Sequence, residues 1–79
     1  MTTAGNSEFE SHARTLLAAA KRDLARVNPK TLGREARQQY DSANQFARLA
    51  EQALVQRNFV FAESCANKAA TLAALLVKG

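Results

Sequence analysis

An all-α fold, a three-helix bundle, is what this sequence predicts, and three observations carry the prediction. Two apolar ladders with alternating three- and four-residue steps fill the second half: Ala36, Tyr40, Ala43, Ala47, Ala50, Leu54, then Phe59, Ala62, Ala66, Ala69, Ala73, Leu76. A narrower stripe of Phe9, Ala13, Leu16, Leu17, Ala20, Leu24 and Val27 occupies the first third. The breakers spare all three stretches, since the only proline is Pro29 and the glycines are Gly5, Gly33 and Gly79. With 79 residues the chain forms one domain, expected over 7–78 behind a disordered tail at 1–6. A chain this short buries only roughly 60% of the surface its unfolded form exposes, so it is marginal alone or leans on a partner.

Helix 1 is expected over about 7–27. Ser7-Glu8-Phe9-Glu10 has capping-box spacing, in which the Ser7 hydroxyl accepts from the Glu10 amide and the Glu10 carboxylate reaches back. Two acids in the first turn also suit the positive end of the helix dipole. The apolar stripe is only about 100° wide, a face made to dock on one surface. Asn28-Pro29 ends this helix, because proline cannot donate and the residue before it is pushed out of the helical region.

The same pair can open helix 2, expected over about 31–57, with Asn28 as cap and Pro29 as first residue, and Thr31 is a second candidate cap. Asn58 tolerates the left-handed conformation, so it is expected both to stop helix 2 and to cap helix 3, over about 59–78. A turn this short makes the two helices an antiparallel hairpin. The alanine rungs let their backbones approach closely, while each brings only a methyl to the core and leaves most of the burial to larger residues.

Beside the ladders, helix 2 carries Phe46, Leu49 and Ala53, and helix 3 carries Phe61, Cys65, Leu72 and Leu75. The apolar arc of helix 3 then covers roughly 200°, so helix 3 should lie between neighbours. The narrow face of helix 1 does not cover both extra flanks, and uncovered apolar surface marks an interface. The expected partner-binding residues are therefore Phe46, Leu49, Phe61, Cys65, Leu72 and Leu75. The expected function is non-enzymatic protein association, either self-association as a homo-oligomer or capture of an amphipathic helix.

The hairpin resembles a tetratricopeptide repeat over about residues 43–76. Phe46, Leu49 and Ala50 match the spacing of the large, leucine and small positions of its first helix, Phe59 matches the turn aromatic, and Ala62 and Ala69 match the alanine pair of its second. The resemblance implies a close-packed TPR-like hairpin within the bundle. It does not imply the family's peptide groove, which needs at least three stacked repeats. The layout is also similar to short Ala-rich helical domains of bacterial envelope proteins.

Candidate chemistry is sparse. His12 is the only histidine, a metal site needs several converging ligands, and the neighbours Glu8 and Glu10 are too few. Glu35, Glu51, Glu63, Asp23 and Asp41 lack the Glu-x-x-His pairs of a di-metal bundle. Cys65, the single cysteine, excludes an intrachain disulfide and reads as a small buried hydrophobe, the alternative being a thiol that meets its twin across a dimer seam. No catalytic, metal or cofactor site is expected. Between Arg14 and Arg37 there are seven Lys or Arg against two acids, a local net of +5 in a chain whose total is +4. Arg14, Lys21, Arg22, Arg26, Arg34 and Arg37 thus form the alternative site, for weak, non-specific nucleic-acid binding by charge alone, with no aromatic interleaved for base stacking. No apolar run reaches the roughly 20 residues that span a bilayer and the N-terminus lacks the order of a secretory signal, so no membrane span and a cytoplasmic location are expected. The envelope is the alternative if the chain is part of a longer one.

Overall fold

A computed structural model describes the backbone of residues 2–78 and the side chains of residues 8–78. It contains α1 (Thr2–Ala25), a short 3-10 turn (Pro29–Thr31), α2 (Arg34–Val55) and α3 (Phe59–Lys78), and no strand among the described residues. The three helices form an elongated bundle of 47 × 18 × 15 Å. The expected three-helix, all-α architecture is the one observed.

Both boundaries of α1 differ from expectation. α1 begins at Thr2, not at residue 7, so the stretch taken as a disordered tail is helical backbone from Thr2 onward. Once a helix exists, adding residues to its end needs no new nucleation, and one glycine at Gly5 costs only about 1 kcal/mol. The Ser7 side chain lies outside the described residues, and with it the expected capping box. At the other end α1 stops at Ala25, the residue whose carbonyl would need the amide that Pro29 lacks. The chain tightens there, with the Arg26 and Val27 amides donating to the Asp23 and Leu24 carbonyls at 3.1 Å each.

Asn28 caps the 3-10 turn and not helix 2, its Oδ1 accepting from the Lys30 amide at 3.1 Å. Thr31 is not a cap either, because its hydroxyl donates back to the Asn28 carbonyl at 2.9 Å. Leu32 and Gly33 are extended, so α2 starts three residues later than expected, at Arg34. Gly33 is its N-cap, accepting the first intrahelical bond from the Arg37 amide at 2.8 Å.

The reversal between α2 and α3 moves one of the two roles expected of Asn58 to its neighbour and leaves the other in place. Gln56 closes α2 in right-handed conformation, and Arg57, at φ 64°, takes the left-handed position expected of Asn58. The Arg57 amide donates to the Leu54 carbonyl (3.1 Å) and the Asn58 amide to the Ala53 carbonyl (2.8 Å), the paired bonds of a Schellman ending. Asn58 is then free to cap α3, accepting from the Phe61 amide at 3.4 Å.

The core is built of small side chains. Ten of the fourteen buried residues are alanine, including Ala43, Ala47 and Ala50 of the first ladder and Ala62, Ala66, Ala69 and Ala73 of the second. Leu17, Leu24 and Leu54 supply the bulk, and Tyr40, Phe59 and Leu76 close the margins half-buried. α3 lies between α1 and α2, which touch it far more than they touch each other. Close approach of α3 to both neighbours is what its methyl-only face permits. Polar contacts also bridge the helices: His12 Nδ1 meets Glu63 Oε2 at 2.7 Å between α1 and α3, and Gln39 Nε2 donates to the Leu72 carbonyl at 3.2 Å between α2 and α3. Lys21 pairs with Glu51 between α1 and α2.

Candidate partner-binding face

Helical spacing puts Phe61, Lys68 and Leu75 on one side of α3, seven residues apart, with Cys65 and Leu72 turned from that line toward α2. Phe61 is 48% exposed and Leu75 54%, high values for large apolar side chains on a helix that otherwise buries its alanines. Leu72 and Phe46 are half-buried where α3 meets α2. With Asn67, Lys68 and Thr71 they line a shallow groove of about 320 Å³. Lys68 lies across it, its Nζ 5.4 Å from the centre of the Phe46 ring, within cation–π range. Leu49 is half-buried against the core from α2.

The sixth residue expected to bind a partner does not belong to the face. Cys65 is 3% exposed and forms part of the core, where burial pushes its thiol pKa up against the lowering influence of the nearby Lys68. It lies on the margin of the buried arc of α3, enclosed with the core alanines. A thiol in that position is protonated at neutral pH and does not reach a seam.

The six basic residues of the alternative site are divided among different surfaces and mostly engaged. Arg14 donates to Glu10 Oε2 from two nitrogens, at 2.9 and 3.1 Å, and Lys21 pairs with Glu51. Arg22 lies 3.8 Å from Asp23, and Arg37 lies 3.7 Å from Asp41. Arg26 and Arg34 make no ion pair among the described residues. Arg14 and Lys21 border the cleft between α1 and α2, whereas Arg34 and Arg37 sit on the opening turn of α2. Four of the six basic residues therefore already face a carboxylate.

That cleft is a second concavity, of about 460 Å³, which sequence reasoning missed. Leu17, Leu54 and Val55 form its apolar part, the Lys21–Glu51 pair spans it, and Val55 is 83% exposed. The one signal for it was Val55 itself, an apolar residue standing off the ladder just after Leu54. Among the described residues no three His, Cys, Asp or Glu side chains converge, and no polar or charged side chain is buried.

No family model, curated protein or solved structure matches this chain. α3 itself is 20 residues long and has a mean hydropathy of 1.3 over its most apolar window, enough by length and composition to cross a membrane. Its alanines Ala62, Ala66, Ala69 and Ala73 are buried in the bundle, and its open side carries Ser64, Asn67, Lys68, Thr71 and Ala74.

Proposed function

We propose that this chain is a non-enzymatic helical association module that binds protein through the α2–α3 face. The observation that carries the reading is the exposure of Phe61 and Leu75 on the same side of α3 as the Phe46–Leu72 groove, with Lys68 the single charge along that side. Depletion of charge around aromatic and aliphatic anchors is the composition that separates the centre of a protein interface from ordinary surface. Uncharged Ser42, Gln45, Ser64 and Thr71 nearby supply the polar margin.

The tetratricopeptide-like construction of the hairpin is part of the same proposal. Support comes from burial at the matched positions: Ala50, Ala62 and Ala69 are buried, and Phe59 is half-buried at the turn. A close-packed pair of this kind holds Phe46 and Leu72 rigidly, and a rigid apolar anchor loses little entropy on binding.

Phe61→Glu and Leu75→Glu test the reading, since both residues are exposed and their replacement leaves the alanine core intact. With helicity unchanged by circular dichroism, each variant is expected to lose the association that the wild type shows, by light scattering for a second copy or by anisotropy for apolar-faced helical peptides. A wild type that neither self-associates at high micromolar concentration nor binds such peptides would overturn it.

A further inference from the structure

We infer that the partner of the α2–α3 face is an acidic amphipathic helix, with a carboxylate that meets Lys68 and apolar side chains that cover Phe61, Phe46 and Leu75. The inference rests on the association reading above and names its occupant. It starts from the charge left over on the face. Five of the seven acidic residues already face a basic partner, Glu10 with Arg14, Asp23 with Arg22, Asp41 with Arg37, Glu51 with Lys21 and Glu63 with His12. Lys68 has no carboxylate within ion-pair distance among the described residues and rests on the Phe46 ring instead. Covering the surrounding apolar side chains would strip water from that ammonium, which a partner must replace with a negative group.

A two-fold contact of α3 on α3 of a second copy does not supply one. Phe61 and Leu75 lie seven residues to either side of Lys68, so an antiparallel two-fold contact that covers both must place its axis at Lys68. The two ammonium groups then meet at the centre of the seam, between molecules that each carry +4. Nucleic acid is no better fitted, because one cation among apolar side chains makes a single phosphate contact. A helix suits the length as well: Phe61 to Leu75 extends about 21 Å at 1.5 Å per residue, four turns of a partner lying along α3.

The test uses two synthetic 18-residue helices with identical leucine faces on an alanine background, one with glutamates beside the leucines and one with lysines in their place. Anisotropy titrations against the full chain at physiological salt are expected to give about tenfold tighter binding of the glutamate helix. Lys68→Glu should abolish or reverse that preference, while Arg26→Glu, which changes net charge equally on another surface, should leave most of it. Equal binding of the two helices, or a preference that both substitutions reduce alike, would overturn the inference and leave the association face standing. Binding of neither helix also overturns it. If the wild type is then a dimer that Phe61→Glu dissociates, the face is an interface between copies; if it is a monomer, the association reading falls too.

Discussion

Arg57 carries the clearest local cost in the chain. Its φ of 64° is the left-handed conformation, in which a side chain crowds the backbone, and it is the only described non-glycine residue with positive φ. Asn58 would bear that conformation better, yet Asn58 is needed one position later, with its side chain on the Phe61 amide. Two helices separated by so few residues cannot give one residue both tasks. Arg57→Gly removes the steric penalty and keeps both Schellman bonds, at the expense of a more flexible unfolded chain. The expected outcome is a gain of about 0.5–1 kcal/mol in urea unfolding, with Arg57→Val losing a similar amount. A neutral glycine variant would show that the Arg57 side chain makes up the strain through contacts of its own.

At the scale of the elements, the ladders do the organising, and alanine is what makes them specific. Ala66 is fully buried where α3 meets its neighbours, so Ala66→Leu must force helices apart or a side chain off its rotamer. A loss of about 1–3 kcal/mol is expected by thermal or urea unfolding, while Ala74→Leu on the open side of α3 changes stability by less than about 0.5 kcal/mol. Helix periodicity made this much legible in advance: α3 matched its expected bounds, the alanine rungs from Ala43 to Ala73 are buried, and α3 lies between its neighbours as its wide apolar arc required. Boundaries were less legible, because caps depend on competition among neighbouring polar residues. Asn28 and Thr31 were each acceptable caps, and the extended backbone at Leu32 and Gly33 moves the start to Arg34 instead. Of the expected partner site, Phe46, Leu49, Phe61, Leu72 and Leu75 remain wholly or partly open, but Cys65 does not. A wheel gives an angle on one helix and not the reach of the next, and in the folded chain Cys65 is enclosed in the core.

For the molecule as a whole, the consequence of a central α3 is that α1 and α2 flank it and leave a cleft between themselves. Leu54 and Val55 are adjacent in sequence and lie on opposite sides of that boundary, Leu54 9% exposed in the core and Val55 83% exposed on the cleft margin. Their substitutions therefore report whether the flanking helices stay apart in solution. With the cleft open, Val55→Asp is nearly neutral, within about 0.5 kcal/mol, since the side chain is already in water. Leu54→Ala removes buried methyl groups in a core with no large side chain fully enclosed, and about 2 kcal/mol of stability should go with them. Were α1 and α2 to close on each other, Val55 would be drawn into their contact and Val55→Asp would cost as much as Leu54→Ala. Urea unfolding of the two variants under identical conditions separates these arrangements. The exposed Lys21–Glu51 pair does not hold the cleft shut, because an ion pair in water contributes only about 0–1 kcal/mol.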